Sequence, residues 1–282
     1  MQKMIIIVGG FNLPFRNASA VRAVGMAQLF KSLGHDVLIL GKFESIPDNH
    51  RDECQIIEGI NCRDIRQPFI RKQFSSYVRS ADSISAVIDY YGADNVLMVV
   101  AYNYPAIGAY SLIKACRKYA VAPVLDCTEW HGWEGRKILR NLWRQVGVMV
   151  RLYLLTRLAD NVICASSFLQ KKLPEQNTLL LPFVIDTSHA KWIRKPSAKT
   201  SSEQIRFVYS GSPGIGFYKD ALPNMLTAFD SLAADGFKFE CVIAGLTEAE
   251  YVSAIPEHHS FVKRLNGYLN FLGRVSHQES LD

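Results

Sequence analysis

The sequence has no apolar run that approaches the roughly 18 residues needed to span a membrane. It also lacks a secretory signal pattern. Lys3 precedes only MIIIV before Gly9 and Gly10, and that run is too short for a hydrophobic signal region but typical of a first strand. We therefore expect a chain that does not cross a membrane.

Paired cysteines and metal motifs are absent as well. The six cysteines form no C-x-x-C pair, and four lie in or beside apolar runs, which predicts reduced, mostly buried thiols and a cytoplasmic location. No spacing matches a zinc site, and no Asp-x-Asp pair is present to hold a metal-bound nucleotide diphosphate. We expect neither a metal nor a cofactor.

The charge balance is only mildly basic. A net charge of +6, with 21% charged and 49% hydrophobic residues, is typical of a soluble globular protein. It suits anionic substrates or an anionic membrane surface and does not indicate nucleic acid.

Strand and helix patterns alternate along almost the whole chain. Short apolar runs that predict strands are joined by helical patterns, and this alternation predicts an α/β protein with a parallel, doubly wound sheet. A polar stretch, His189–Glu203, separates two such series. We predict two Rossmann-like domains over residues 1–188 and 204–282, with 189–203 as the linker. We expect the second domain to be incomplete, because three strands are predicted in it where six are common.

The stretch SGSPGIGFYKD, residues 210–220, follows a predicted strand and precedes a helical pattern. Glycines there let an anion approach the backbone, and the N–H groups of the next helix point at it. Lys219 at a helix start is unfavourable to the helix dipole unless an anion is present. The stretch predicts a phosphate site; a plain strand-to-helix turn is the alternative.

The matching segment of the first domain, GGFNLP, is not the G-x-G-x-x-G of dinucleotide sites. Two interpretations of Gly9 and Gly10 are evenly balanced, a tight turn without ligand and a role in substrate binding. Arg22 in the following helix is a candidate for an anionic acceptor group, and a solvated arginine is the alternative.

The segment LDCTEWHGWEG, residues 125–135, places carboxylates and a histidine beside two tryptophans just after a strand. Aromatic rings beside carboxylates suit sugar recognition, and loops after strands commonly carry chemistry. Asp126, Glu129, His131 and Glu134 are the candidates. His131 is suited to orienting or polarising a hydroxyl, and a merely packed or exposed histidine is the alternative.

The segment 136–157 has six basic residues and no acidic one. On a helical wheel its basic side holds Arg136, Lys137, Arg140, Arg144 and Arg151. The opposite side is apolar and includes Leu142, Trp143, Val146, Met149 and Tyr153. Two interpretations remain, a helix resting on anionic lipid and a surface helix with its apolar side on the core.

Several motifs, in their order along the chain, resemble the family 4 glycosyltransferases of the GT-B fold. In the first domain they are GG-x-x-x-P, A-x-A-x-R, GHDV, D-x-TEW, ASSFLQKKL and LPFVID. In the second they are VYSGSPG followed by KD, a strand ending in AG, and FLGRVSHQE.

The resemblance implies transfer of a sugar from a nucleotide-diphosphate donor, with retention, no metal and no cofactor, in bacterial surface polysaccharide or glycolipid assembly. The implied acceptor is a glycan or a lipid-linked molecule. The resemblance also suits peripheral membrane contact of the protein through the basic side described above. The implied site residues are as follows: catalytic, His131 and Lys219; donor-binding, Gly211, Ser212, Gly214, Lys219, Gly245 and Gly273; acceptor-side, Gly9, Gly10, Arg22 and Glu129.

Two features depart from the family. The loop before Lys219 has no arginine, and the chain ends at Asp282 before the E-x7-E pair that the family uses for the donor sugar and ribose. The chain is thus predicted to be a fragment or a truncated product. The alternative function is a non-catalytic partner subunit or decayed enzyme.

Overall fold

The computed structural model describes residues 3–15, 17–43, 53–65, 82, 84–130, 138–173, 177–184, 205–211, 217, 220–276 and 279. The chain divides into two compact units, unit 1 (Met1–Asp186) and unit 2 (Thr187–Asp282). The predicted linker 189–203 lies outside the described residues, so the domain limits stay predictions.

Unit 1 is built on one large sheet. Its strands are β1 (Met4–Leu13), β2 (Asp36–Phe43), β3 (Gln55–Ile57), β4 (Ile60–Asp64), β5 (Val96–Tyr102), β6 (Ala122–Cys127), β7 (Asn161–Cys164) and β8 (Thr178–Leu180). They lie in the order β3-β4-β2-β1-β5-β6-β7-β8. All neighbours pair in parallel except β3 and β4.

Helices cover both faces of this sheet. They are α1 (Ala18–Ser32), α2 (residues 84–91), α3 (Ala106–Lys118), α4 (Ile138–Met149), α5 (Thr156–Ala159) and α6 (Ser167–Lys172), with a π-helical segment (Val150–Leu155) joining α4 to α5. Asn17 caps α1, since its side chain accepts a hydrogen bond from the Ala20 amide at 3.0 Å. Among the described residues, no helix is long and apolar enough to cross a bilayer.

The run MIIIV is continuously apolar because both faces of β1 are buried. Ile6 and Val8 belong to one core cluster, together with Leu112 of α3. Ile5 and Ile7 point the other way, into a cluster with Met26 of α1. A strand between two helical layers has no solvent side and needs no alternation.

Unit 2 repeats the arrangement on a smaller scale. Its elements are β9 (Ile205–Ser210), α7 (Leu222–Ala234), β10 (Phe239–Ala244), α8 (Glu248–Ala254), a 3-10 turn (Pro256–His258), α9 (His259–Arg264) and β11 (Leu269–Gly273). The described strands form a parallel sheet in the order β11-β10-β9. Phe229 stacks on Phe239 in its core, with ring centroids 5.0 Å apart. The predicted α/β class is confirmed.

One departure from the sequence prediction concerns unit 1. The β3–β4 hairpin was not predicted; its turn, Glu58-Gly59, has positive φ at both residues. This is the geometry of a two-residue hairpin turn, but Glu-Gly is a weaker signal than Asn-Gly or Asp-Gly.

The thiols are expected to differ sharply in reactivity. Cys54 is exposed, whereas the other five cysteines are buried. Burial raises the pKa of Cys62, Cys116 and Cys127 to about 12, so few thiolates form near neutral pH. Titration of the native protein with Ellman's reagent should therefore modify one thiol rapidly and all six only after denaturation. Rapid reaction of two or more native thiols would contradict this burial pattern.

Candidate functional site

The carboxyl ends of β1, β5 and β6 lie side by side at one edge of the unit 1 sheet. In parallel α/β sheets this edge is where ligands bind. Tyr102 and Asn103 stand at the end of β5, and residues 126–130 follow at the end of β6. The D-x-TEW segment, residues 126–130, therefore lies at the edge where sheets of this kind bind ligands.

A buried ion pair fastens this edge to α1. Arg22 donates to both carboxylate oxygens of Asp126, from Nε at 3.0 Å and from Nη2 at 2.9 Å. It also donates to the carbonyls of Leu181 and Pro182 at 3.1 and 2.9 Å. Arg22 is 3% exposed, so the alternative of a solvated arginine is wrong. Its guanidinium is committed to protein groups and does not face an acceptor as proposed from sequence.

The pair balances two opposed effects on Asp126. Burial raises the pKa of the Asp126 carboxyl, while the hydrogen bonds and the charge of Arg22 lower it. Through its four hydrogen bonds, Arg22 links α1 to β6 and to the chain after β8. Gly25 of the same helix allows that chain to pass closely, because an added Cβ would lie 3.0 Å from the Val184 carbonyl oxygen.

A second polar network lies beside the pair and was missed by sequence reasoning. The Thr128 amide donates to Asn103 Oδ1 at 3.2 Å, and the Asn103 side-chain amide donates back to the Thr128 hydroxyl. That hydroxyl donates to the Tyr102 hydroxyl at 3.3 Å. Asn103 also donates its own amide to the Asp126 carbonyl at 2.9 Å. The only signal was the polar Tyr-Asn pair that ends an apolar strand.

Glu129 and Trp130 follow this network. The Glu129 side chain is exposed, and its backbone carbonyl accepts a hydrogen bond from Arg151 Nη2 at 3.0 Å. Trp130 is half-buried and makes edge-to-face contacts with Tyr153 and Phe168, with ring centroids 6.3 and 6.2 Å away. Glu134 and the predicted catalytic residue His131 lie outside the described residues.

Gly9 and Gly10 do not form a turn. Both lie within β1, so the tight-turn interpretation is wrong. A Cβ on Gly9 would lie 2.6 Å from the Phe11 ring, and one on Gly41 would lie 2.7 Å from the same ring. Gly9 is therefore needed to seat the fully buried Phe11 ring. A role of Gly9 and Gly10 in substrate binding stays a prediction.

The predicted basic helix has its sides reversed. Arg151 is 5% exposed and faces the interior, where burial lowers its pKa. Trp143, predicted to lie on the core side of an ordinary surface helix, is 77% exposed. The prediction that the apolar side faces the core is therefore wrong. The prediction that Arg151 lies on the surface and contacts a membrane is wrong as well. Arg136, Lys137 and the Arg140 side chain lie outside the described residues, and Arg144 is half-buried.

In unit 2, three glycines stand at the carboxyl ends of the three strands. A Cβ on Gly245 would lie 1.8 Å from the Gly211 carbonyl oxygen. The amides of Gly211, Gly245 and Gly273 donate to the carbonyls of Ala244, Gly273 and Leu246, respectively. The expectation that the Gly211 amide faces a phosphate is therefore wrong. Gly245 instead lets the ends of β9 and β10 approach one another.

The described residues near the end of the loop after β9 contact neighbouring side chains. The Tyr209 hydroxyl donates a hydrogen bond to Asp220 Oδ2 at 2.8 Å. Burial raises the pKa of Tyr209, and the hydrogen bond to Asp220 raises it further. Phe217 stacks on Tyr251 with centroids 5.6 Å apart. Helix α7 begins after Ala221 without a side-chain cap and without an acidic residue in its first turn. Ser212, Gly214 and Lys219 lie outside the described residues.

Metal-binding groups are scarce. Within the described parts of the chain, no three His, Cys, Asp or Glu side chains cluster as metal ligands would. The expectation of a metal-free protein stays a prediction, since His131 and Glu134 are not among these residues.

No family model matches the sequence, and no curated protein matches it either. Solved structures match along nearly the whole chain. WaaG, a glycosyltransferase involved in lipopolysaccharide biosynthesis, is 11% identical with a TM-score of 0.61, over 98% of this chain and 71% of its own. Alr3699/HepE from Anabaena, in complex with UDP and glucose, is 12% identical with a TM-score of 0.60, over 98% and 70%. The chain has the GT-B fold.

A third GT-B structure limits what the fold alone says. The UDP-GlcNAc 2-epimerase from Methanocaldococcus jannaschii is 9% identical with a TM-score of 0.58, over 100% of this chain and 75% of its own. Epimerisation and transfer thus occur on similar folds, and function has to be argued from site residues. These structures support the fold that the family resemblance implies. Membership of family 4 and transfer with retention stay proposals.

Proposed function

We propose that this protein transfers a sugar from a nucleotide-diphosphate donor to a glycan or lipid-linked acceptor, with retention and without a metal or cofactor. The setting proposed is bacterial surface polysaccharide or glycolipid synthesis at the cytoplasmic side of the membrane. The observation that carries the proposal is the start of α7. The helix follows the glycine loop and lacks both a side-chain cap and an acidic first turn.

Such a helix start suits the donor diphosphate. The first N–H groups of a helix have no partners within the helix, and the helix dipole favours a negative charge there. Ser212, Gly214 and Lys219 precede this helix in sequence, and we assign them to the diphosphate. Lys219 would neutralise charge that develops on the leaving group as the glycosidic bond breaks, which is often a large catalytic effect.

The acceptor is assigned to unit 1. Glu129 offers an exposed carboxylate beside the half-buried Trp130 ring, a pairing suited to sugar hydroxyls. Arg22 is a positioning residue, since its ion pair with Asp126 holds the strand that leads to Glu129. His131 is assigned to orienting the acceptor hydroxyl, and Gly9 and Gly10 of β1 are assigned to the acceptor side.

Replacement of Lys219 by alanine tests the donor assignment. We expect at least about a hundredfold loss of transfer from radiolabelled nucleotide sugars to a membrane extract, in the range seen when one electrostatic donor is removed. Binding of the nucleoside diphosphate by calorimetry should weaken in parallel. The matched control is Lys238→Ala, which removes an exposed lysine before β10 in the same unit.

Product analysis separates transfer from its rivals. Label in a new glycan or lipid supports transfer, whereas a converted nucleotide sugar with no acceptor product indicates epimerisation. Tight diphosphate binding that Lys219→Ala leaves unchanged would refute the role given to this loop.

A further inference from the structure

Arg151 is a buried cation whose donors are poorly satisfied. Its side chain is 5% exposed, and Nη2 donates to the Glu129 carbonyl at 3.0 Å. Its Nε is buried and has no hydrogen-bond partner among the described residues. In the same parts of the chain, no carboxylate forms an ion pair with it. A guanidinium held in this way costs free energy, so the fold does not gain stability from its charge.

The buried Arg22 provides the contrast, because its guanidinium is paired with the Asp126 carboxylate. Burial lowers the pKa of Arg151, while the groups that oppose this effect are Cys127 and Glu129. Cys127 stays a neutral thiol near neutral pH, since burial raises its pKa to about 12. The anion that stabilises the Arg151 charge is therefore the Glu129 carboxylate, which belongs to an exposed residue at the ligand-binding edge.

The π-helical segment places two side chains against the same stretch of chain. Arg151 bonds the Glu129 carbonyl, and the Tyr153 ring contacts the Trp130 ring edge-to-face with centroids 6.3 Å apart. Phe168 of α6 contacts the same indole at 6.2 Å. Glu129 and Trp130 are thus held from behind by side chains of neighbouring helices. Segments of π-helix are rare and occur frequently at functional sites.

We propose that Arg151 is a positioning residue for the acceptor. It fixes the backbone of Glu129, and its charge attracts the carboxylate of the same residue, so that this carboxylate and the Trp130 ring stay aligned for one sugar. Because Arg151 is buried, it acts through Glu129 and does not touch the acceptor. This inference rests on the proposed function, which assigns Glu129 to the acceptor side.

Arg151→Met separates positioning from support of the fold. Replacement of a poorly balanced buried charge by an apolar side chain is often neutral or stabilising. The Glu129 carbonyl belongs to an exposed residue and can accept a hydrogen bond from water instead. We therefore expect the Tm measured by calorimetry to be unchanged or higher. A residue that only supports the fold would give a lower Tm, as we expect for Arg22→Met.

Transfer kinetics measure the positioning. With radiolabelled nucleotide sugars and the membrane extract titrated as the acceptor, Arg151→Met should raise the amount of extract needed for half-maximal transfer. The expected rise is about tenfold or more, the effect of one hydrogen bond to a charged group. The half-saturating concentration of the nucleotide sugar should not change, because the donor is assigned to unit 2. Arg151→Lys should recover part of the loss, since it keeps the charge.

The matched control is Arg117→Met. Arg117 Nη2 donates to the Leu158 carbonyl at 2.6 Å, so the variant removes the same kind of bond at the end of α3. It should leave the dependence of transfer on the extract unchanged.

Hydrogen exchange gives a readout that needs no activity. In Arg151→Met, peptides that span residues 125–130 should exchange faster although the Tm does not fall. Unchanged exchange of these peptides overturns the proposal, and so does a native-like dependence of transfer on the extract. If the native protein transfers no sugar but Arg151→Met exchanges faster at this segment, the proposed function fails and the positioning of Glu129 by Arg151 stands.

Discussion

Arg22→Met should lower the free energy of unfolding of unit 1 by about 3–5 kcal/mol, the usual cost of removing one partner of a buried ion pair. Asp126 is 1% exposed and would lose the cation that compensates its charge in the interior. The Leu181 and Pro182 carbonyls would lose their donor as well. Calorimetry should show a fall in Tm on the order of 10 °C.

Companion variants separate charge from packing. Arg22→Met with Asp126→Asn should recover part of the loss, because the uncompensated carboxylate is gone. Arg22→Lys should be intermediate, since it keeps the charge but loses the two-pronged geometry of the guanidinium. If the double variant is as unstable as the sum of the two single ones, the ion pair is not what stabilises this part of unit 1.

The cost of Arg22→Met should also depend on pH. Without the guanidinium, burial alone acts on Asp126 and raises its pKa further above the unfolded value of about 3.9. A carboxyl with a raised pKa contributes stability that is present below the unfolded pKa and is lost as pH rises through the folded pKa. The difference between native protein and variant should thus be larger at about pH 8 than at about pH 5.

Gly245→Ala is expected to disrupt unit 2. The new Cβ would lie 1.8 Å from the Gly211 carbonyl oxygen, and both groups belong to paired strand ends that cannot move independently. The φ angle of +119° adds strain of about 1–3 kcal/mol. We expect the variant to lose nucleoside diphosphate binding and the unfolding transition of unit 2. Both losses are measurable by calorimetry.

Two glycines serve as matched controls for this variant. Gly236 and Gly267 also have positive φ, +80° and +95°, but an added Cβ would meet nothing within 4 Å at either position. Alanine there should cost only the left-handed strain of about 1–2 kcal/mol. If Gly245→Ala is no worse than these, the strand ends are not held as closely as the structure indicates.

The fold was largely readable from sequence because its signals are local. The run MIIIV was recognised as the first strand from its short apolar pattern, and it lies in β1. The β3–β4 hairpin escaped because its strands are short and its turn, Glu58-Gly59, is an uncommon pair.

The site was less predictable, because its contacts join distant segments. Arg22 and Asp126 are separated by 104 positions, and nothing in either segment identifies the other as its partner. Tyr102, Asn103 and Thr128 form one network only because β5 and β6 are neighbours in the sheet. The Gly211 amide looked available until strand pairing placed the Ala244 carbonyl against it.

By itself, the sequence determined the alternation of strands and helices and the positions of the glycine-rich strand ends, because periodicity and backbone freedom are properties of neighbouring residues. Only the tertiary structure decided which way α4 faces. Its apolar side predicts a core-facing orientation, but Val148, Leu152 and the bond from Arg151 to Glu129 set the opposite rotation. Packing against distant elements outweighs the preference of an isolated helix, because most helical stability in proteins comes from tertiary contacts.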